Sequence, residues 1–350
     1  MQNGAMPERF AWVPDLDRAQ WLRSVEAEPW SSVLSIVPRG FPAYARLLHP
    51  VSRDRPRRTR TWHGLEEAPY FAGVHDIEAA LEIQRATWAQ AAASFGTTMH
   101  AQAQYARLVR SDDGEAHGAI APDGWRYGYT SEGRLDTVSL AAASAVLARH
   151  TTTPQTGVAA IWEGWGGLVS SAGAARFVLE PVDRPPASGA EEDTERVTAP
   201  SLRRRVAAAL RQGFAQAPAV PRARPRRSHD PAPGTGALPP EIAIGPRFEL
   251  RGDTGRRYLL FEAGAHDFAD PTWPAHAPWV DDPVWAPSPS ILWPDDHAWV
   301  LATEIDVDST LVAGPTALVR DLGRTPGLEV LPLRTDADLT RDGDALNRPT

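Results

Sequence analysis

The stretch FELRGDTGRRYLLFEAG, residues 248–264 of the 350-residue chain, has the pattern of a β-hairpin. Two apolar runs flank the four residues Gly-Asp-Thr-Gly at 252–255. Glycine and aspartate adopt the backbone angles that a tight turn needs, so apolar runs on either side of them are typical of a β-hairpin. The stretch therefore predicts two antiparallel strands.

The other segments of the chain show strand and helix patterns that alternate irregularly. Strands are predicted for SSVLSIVP, FPAYARLLHPV, GVAAIWEGWGGLV, AARFVLEP and GLEVLPL, and for residues 105–109, 125–129, 297–305 and 310–313. Helices are predicted for 76–94, 137–149 and TALVRDLG, whereas the basic stretch VSRDRPRRTRTW is predicted to be an exposed loop. Because regular strand–helix–strand spacing is lacking, the sequence predicts an α+β fold with a mixed, largely antiparallel sheet and a few packing helices.

The composition excludes several kinds of active site. The chain has no cysteine, which excludes disulfides, thiolate nucleophiles and cysteine-ligated metals. All 36 basic residues are arginine, so a Walker-A lysine and a Schiff-base lysine are excluded too. The net charge of −8 disfavours broad binding to nucleic acid or to an anionic membrane. The motifs GxSxG, HExxH and GxGxxG do not occur, and no cofactor is predicted.

The first residues, MQNGAMPERFAWVPDLDRAQW, lack a basic region followed by an apolar one. The longest weakly polar run, VSLAAASAVLA at 138–148, is too short to cross a bilayer. We therefore expect a cytoplasmic protein that makes no membrane contact.

Composition divides the chain into five parts. They are a flexible N-terminus (1–14), a first ordered half (15–182), a linker (183–245), a second ordered half that packs on the first (246–335) and a flexible tail (336–350). The hydrophobic content of 42% is enough for the two ordered halves to form a core.

The linker is rich in proline, alanine and charged residues, and such a sequence buries too little apolar surface to offset its ordering entropy. It is therefore predicted to be a disordered insertion. Within it, Leu202, Val206, Leu210 and Phe214 repeat every four residues, which predicts a short helix at 201–217. That helix either docks on the protein itself or binds a partner.

The segment WPDDHAWVLATEIDVDST, residues 293–310, concentrates acidic residues. Alternate side chains of a strand share a face, so Glu304, Asp306 and Asp308 are predicted to line one side of a strand. Three such carboxylates suit a hard cation such as Mg²⁺ or Ca²⁺, or an acid–base pair. The alternative is a solvated strand face followed by a turn. The cluster Asp295-Asp296-His297 joins them only if the chain folds back.

Tryptophan dominates the proline-rich stretch DPTWPAHAPWVDDPVWAPSPSILWP, residues 270–294. Tryptophan is enriched at recognition surfaces, which makes Trp279, Trp285 and Trp293 candidate binding residues, together with Trp162 and Trp165 of AIWEGWGGL. The alternative is that these rings anchor long loops in the core.

Glu163 lies between Trp162 and Trp165, and Gly164 follows it. A carboxyl group buried between two rings would have a raised pKa, as a catalytic acid requires. The alternative is a glutamate that points to solvent while both rings point inward.

Arginines cluster at one place in the first half and at 222–227. The members of the first cluster are Arg53, Arg55, Arg57, Arg58 and Arg60. Both clusters are predicted to be solvated loops, and nucleic-acid binding would require them to converge on one face.

Two segments carry a resemblance: LARHTTTPQTGVAAIWEGWG (147–166) and SPSILWPDDHAWVLATEIDVDSTLVAGP (288–315). They resemble a family of uncharacterised actinobacterial proteins with a His-Thr-Thr-Thr-Pro segment before a tryptophan-containing strand and a Trp-Pro-acidic segment before a Glu-Ile-Asp strand. The resemblance implies that 15–180 and 245–335 form one family unit. It implies no activity, cofactor or catalytic residue.

From these patterns we predict a non-catalytic cytoplasmic binding or interaction protein, an immunity-like or accessory module, whose partner is another protein. Binding to nucleic acid or to a membrane is not expected. The alternative is a metal-dependent or acid/base hydrolase that uses the acidic strand at 304–308, with Glu163. A pocket that joins Glu163 to that strand would favour the hydrolase.

Overall fold

The computed structural model describes residues 8–30, 32–72, 74, 76–111, 118–171, 232–252 and 256–348. Three predicted features lie outside these residues: the helix at 201–217, the strand AARFVLEP and the arginine run at 222–227. Most of the predicted disordered insertion lies outside them as well.

Within the described residues, thirteen strands form two sheets. They are β1 (Trp12–Val13), β2 (Ala43–Leu48), β3 (Val51–Pro56), β4 (Leu81–Ala86), β5 (Ala119–Ile120), β6 (Arg126–Thr130), β7 (Gly157–Trp162), β8 (Phe248–Leu250), β9 (Arg256–Glu262), β10 (Ile291–Pro294), β11 (Val300–Ala302), β12 (Ser309–Gly314) and β13 (Glu329–Leu333). Each pairing between neighbouring strands is antiparallel.

Helices connect and cover these strands. The α-helices of the described residues are α1 (Glu67–Ala72), α2 (Ile77–Ala80), α3 (Trp88–Phe95), α4 (Tyr105–Leu108), α5 (Thr137–Leu147), α6 (Pro240–Ala243), α7 (Ala265–Phe268) and α8 (Thr316–Gly323). Short 3₁₀ helices occupy Leu16–Ala27, Val33–Ser35, Ala148–His150, Trp273–Ala275, Pro283–Trp285 and Arg341–Gly343. The mixture of helices with antiparallel sheets confirms the predicted α+β fold.

The larger sheet has nine strands in the order β1-β9-β7-β10-β11-β12-β2-β13, with β8 also paired to β9. Strands of both predicted ordered halves alternate in it, since β7 lies between β9 and β10. The halves 15–182 and 246–335 therefore share one sheet. The smaller sheet, β4-β3-β6-β5, comes from the first half.

The larger sheet is buried on both faces, which explains the continuous apolar runs of its central strands. In β7, Ala159 and Ile161 join one core with α5, α7 and α8, while Val158 and Ala160 join a second core with the 3₁₀ helix Leu16–Ala27. A third core lies beneath the smaller sheet, where Trp88 of α3 is fully buried.

Several sequence predictions are confirmed. The stretch that begins at Phe248 is a hairpin of β8 and β9, in which Phe248 pairs with Tyr258. Helices α5 and α8 begin where they were predicted, and β7 and β13 occupy the predicted apolar runs.

The predicted helix at 76–94 is wrong in its middle. Asp76 does cap a helix and Gly96 does end one in the left-handed conformation, at φ 66°. Between them, residues Leu81–Ala86 form β4, which pairs with β3 along its whole length. Non-local pairing outweighs local helix propensity here. The strand β3 in turn replaces the first half of the loop predicted for VSRDRPRRTRTW.

Three further strand predictions are wrong in whole or in part. Residues 105–109 begin with α4, in which Tyr105 and Leu108 are buried. The strand predicted at 297–305 is shorter, Val300–Ala302, because the chain turns sharply at His297. In the described part of SSVLSIVP, residues 32–38, the structure has a 3₁₀ turn, Val33–Ser35, and an isolated bridge between Ser32 and Asp338.

Three segments predicted to be flexible or disordered are anchored where the structure describes them. In the N-terminus, Phe10 is 2% exposed and packs against Phe268. In the tail, the carboxylate of Asp344 is fully buried. In the last part of the linker, Leu238 is fully buried and donates a backbone hydrogen bond to Leu168.

Candidate functional site

The loop after β10 is fixed by the threonine segment before β7. The carboxylate of Asp296 accepts hydrogen bonds of 2.7 Å from the hydroxyls of Thr151 and Thr152 and from the backbone N–H of Thr152. Partial burial of Asp296 raises its pKa, but these hydrogen bonds outweigh that effect and lower the pKa to about 2. The two segments that carried the family resemblance therefore meet in space.

His297 ends this loop in the left-handed backbone conformation, with φ of 50°. Its imidazole ring lies on Trp21, with 4.4 Å between ring centroids and an angle of 20° between the planes. A left-handed residue other than glycine persists where its surroundings hold it, and such strain is frequent at binding sites.

Trp21 belongs to the 3₁₀ helix Leu16–Ala27, which Asp15 caps through the backbone N–H of Asp17. The helix buries Leu22 and Val25 in the core and turns Trp21 towards the loop. The indole edge contacts Trp293, which is 1% exposed, at 6.1 Å between centroids. The indole nitrogen Nε1 of Trp21 is buried and has no hydrogen-bond partner among the described residues.

The side chain of Arg18, one turn before Trp21 in the same 3₁₀ helix, contacts residues at the ends of three strands. Its guanidinium pairs with Glu262 at the end of β9 and with Asp295 after β10, the latter at 2.6 Å. It also lies 3.4 Å from the carbonyl oxygen of Gly157, the first residue of β7. Glycine is required at 157 because a Cβ there would lie 2.2 Å from the carbonyl oxygen of Trp293.

These side chains line a cleft of about 620 Å³, which we call the Trp21 cleft. Its lining residues are Asp17, Arg18, Trp21, Thr156, Glu262, Trp293, Asp295 and His297. Three carboxylates against one guanidinium give the lining a net charge of −2 when His297 is neutral.

The state of His297 follows from its surroundings. Burial lowers the pKa of His297 and outweighs the opposite effect of Asp295 and Asp296, so the ring is neutral at pH 7. Asp17 is exposed, and among the described residues no arginine or histidine forms an ion pair with it. The Trp21 cleft thus combines aromatic rings with an excess of carboxylate.

The acidic residues of EIDVD do not line one strand face, so that prediction is wrong. Glu304 precedes a turn at 305–306. The guanidinium of Arg256, on β9, forms ion pairs with Glu304 at 2.7 Å and with Asp306 at 2.6 Å. Asp308 turns away to Arg46 at 3.4 Å and to the hydroxyl of Thr130. The backbone reverses here because β11 and β12 are antiparallel neighbours.

The predicted metal site at Glu304, Asp306 and Asp308 is therefore filled by guanidinium groups. In the part of the chain that the structure describes, no three histidine or acidic residues are grouped to hold a metal ion. Beside Glu304 is a cavity of about 20 Å³, which is room for one water molecule and not for a substrate.

Glu163 does not join this acidic group. Its carboxylate pairs with Arg247 at 2.7 Å and with Arg257. Arg256 and Arg257 are successive residues of β9, so they point to opposite faces of the sheet, and Glu163 and Glu304 lie on opposite faces with them. The described residues therefore do not bring Glu163 and Glu304 into one pocket, which the hydrolase alternative required.

Of the five candidate tryptophans, two are interior and three are half-buried or exposed. Trp279 is 2% exposed and donates to the carbonyl of Pro287, so it cannot contact a partner. Trp162 and Trp165 meet edge to face at 5.8 Å and are half-buried. Trp285 is 36% exposed, and the guanidinium of Arg134 lies over its ring at 5.8 Å. Trp293 reaches only the floor of the Trp21 cleft.

Sequence reasoning missed Arg18 and Trp21 entirely. They reach Asp295 and His297 across about 277 residues of chain, and a contact of that range leaves no local pattern. The acidic pair before His297 was the one visible signal.

Comparison with other proteins gives no further guide. The chain matches no protein-family model, and no curated protein and no solved structure is detectably similar to it. The resemblance to an actinobacterial family stays a prediction. Among the described residues, no helix has the length and apolar character needed to cross a membrane.

Proposed function

We propose that the protein is a non-catalytic binding protein whose Trp21 cleft receives a positively charged side chain of a partner protein. The observation that carries this proposal is the stacked pair of Trp21 and His297, held in strained geometry over a lining with a net charge of −2. A cation gains from carboxylates and from the face of an indole ring at the same time.

Unused groups in the cleft support this assignment. The Asp17 carboxylate accepts from cationic donors, and the neutral ring of His297 offers a further acceptor or donor. Arg18 is already engaged by Glu262 and Asp295, so it does not repel an incoming cation as a free guanidinium would. An arginine or lysine side chain of a partner fits these groups.

The hydrolase alternative has less support. Burial raises the pKa of Glu304, as an acid catalyst needs, but the adjacent Arg256 acts against that effect. The cavity at Glu304 holds no more than a water molecule. A cytoplasmic location and membership of the actinobacterial family belong to the same proposal and rest on composition and motif resemblance.

The test is titration with acetyl-arginine amide, followed through the indole N–H signals in ¹H–¹⁵N NMR spectra. The Trp21 signal is assigned by its loss in Trp21→Phe. We expect that signal to shift with saturation at millimolar probe, whereas acetyl-citrulline amide, the uncharged isostere, leaves it in place.

Equal shifts from both probes would show that charge is not recognised. No shift of the Trp21 signal from either probe would overturn the proposal. An Asp17→Asn variant tests the contribution of charge separately from that of the rings, because it removes one carboxylate and keeps both rings.

A further inference from the structure

A second charged surface lies on the smaller sheet, away from the Trp21 cleft residues. Arg53 and Arg55 are two residues apart on β3, so they share a face. Their guanidinium carbons lie 4.3 Å and 4.1 Å from the ring centroid of Trp125, so both groups pack on this ring. Stacking on a ring fixes the planes of both guanidinium groups.

One carboxylate lies among these arginines. Glu82 of β4 accepts from Arg55 Nε at 2.8 Å, and Arg60 Nη2 lies 3.8 Å from the same carboxylate. The hydrogen bond from Arg55 lowers the pKa of Glu82, and the charges of Arg55, Arg60 and Arg57 add to that effect. Arg55, Arg57 and Arg60 thus act on one glutamate, which leaves these four residues with an excess charge of +2.

The outer arginines are presented on a rigid turn after β3. The backbone N–H of Arg57 donates to the carbonyl of Ala80, and that of Arg60 donates to the carbonyl of Pro56. Arg60 has a left-handed backbone, with φ of 57°, and 66% of its side chain is exposed. Arg58 is exposed and forms no ion pair with the described residues.

Arginine forks match the geometry of carboxylates and phosphates alike, so the aromatic groups decide between the two. Bases of single-stranded nucleic acid bind by stacking on exposed rings. Trp125 is only 6% exposed under its two arginines, and Tyr127 is fully buried. This face therefore offers fixed cations without a stacking platform, in a chain of net charge −8.

We propose that the face formed by Arg53, Arg55, Arg57, Arg58 and Arg60 binds an acidic segment of a protein partner. The carboxylates of the segment replace water on Arg58 and Arg60, and the inner pair, Arg53 and Arg55, supplies a fixed positive field. This surface shares no residue with the Trp21 cleft, so the two proposals stand or fall independently.

The test uses fluorescence anisotropy with two labelled probes, deca-glutamate and a ten-nucleotide oligothymidylate, at low salt. The variant is Arg58→Glu/Arg60→Glu. The matched control, Arg324→Glu/Arg341→Glu, makes the same charge change at exposed positions outside this face. Both variants are checked for an unchanged melting temperature.

We expect deca-glutamate to bind the wild type and the control, and to bind Arg58→Glu/Arg60→Glu at least about tenfold more weakly. Tighter binding of oligothymidylate than of deca-glutamate would overturn the choice of partner. Equal weakening in the control would show a general charge effect, and failure of deca-glutamate to bind the wild type would end the proposal.

Discussion

His49 Nε2 lies 2.9 Å from the hydroxyl oxygen of Thr310, and both residues are completely buried. His49 Nδ1 lies 2.5 Å from the carbonyl oxygen of Ser131. A carbonyl only accepts, so the ring proton is on Nδ1, and Nε2 accepts from Thr310. The hydroxyl of Thr303, 2.7 Å from that of Thr310, completes the chain of donors. This network uses a neutral histidine.

The stability of the folded protein should therefore decrease as the pH falls below 6.5, the pKa of histidine in an unfolded chain. Burial lowers the pKa of His49 from 6.5 to about 4, with Arg46 and Arg134 acting in the same direction and Asp136 against it. Between these pH values the unfolded chain binds a proton that the folded chain does not. Between pH 7 and 4 we expect a loss of about 3 kcal/mol from this group.

Urea unfolding of the wild type and His49→Gln at pH 7, 5.5 and 4.5 measures this contribution. The stability gap between the two proteins should narrow as the pH falls, because only the wild type loses the histidine term. A gap that is constant across the range would contradict a neutral buried His49.

Divalent cations should leave the melting temperature unchanged. Arg256 already forms ion pairs with Glu304 and Asp306, and Arg46 forms one with Asp308. A ligand that does not bind the folded state cannot stabilise it, so Mg²⁺, Ca²⁺ or EDTA should shift the melting temperature by less than about 1 °C. A larger shift of the wild-type melting temperature, absent in Asp306→Asn/Asp308→Asn, would show that these carboxylates do bind a metal ion.

The C-terminal segment should depend on Asp344. Its buried carboxylate accepts from the backbone N–H of Gln104 at 2.9 Å and from His100 Nε2 at 2.8 Å. Replacement by alanine leaves both donors without their acceptor, and we expect a loss of about 2–3 kcal/mol in denaturant unfolding. Asp342→Ala, with 87% of its side chain exposed, is the control and should cost less than about 0.5 kcal/mol. Equal effects of the two variants would show that the segment is not held by Asp344.

His297→Gly should separate stability from binding. Glycine relieves the left-handed backbone, and the loss of stacking on Trp21 offsets that gain, so the free energy of unfolding should change by less than about 1 kcal/mol. Binding of acetyl-arginine amide should weaken, because the ring wall of the cleft is gone. Unchanged affinity, measured by the same NMR titration, would remove His297 from the site.

The predicted parts of the fold are those that local chemistry determines. The hairpin at 248–262 follows from its turn residues, and β7 follows from an apolar run that both cores bury. Strand β4, in the middle of the predicted helix 76–94, could not be recognised from the sequence. Its residue Ile83 is 52% exposed, so the strand lacks a clear apolar pattern, and its pairing partner Asp54 lies in a segment predicted to be a loop. Strand identity there depends on pairing and not on periodicity.

The candidate site escaped prediction for the same reason. Asp295, Asp296 and His297 were visible as a polar cluster, but Trp21 was not part of any pattern. Only the packing of the 3₁₀ helix beside β9 and β10 brings it over His297. The predicted acidic strand is wrong because the chain turns at 305–306 between the antiparallel strands β11 and β12.

Backbone hydrogen bonds join the chain on either side of the segment 172–231. Ala237 donates to the carbonyl of Gly167 and Gly234 donates to that of Val169, so the two ends of this segment meet beside the sheet. The closure entropy of a loop changes by only about 0.6 kcal/mol for each doubling of its length. A change in the length of that segment should therefore alter the stability of the sheet little, because the sheet stays attached to the same two points.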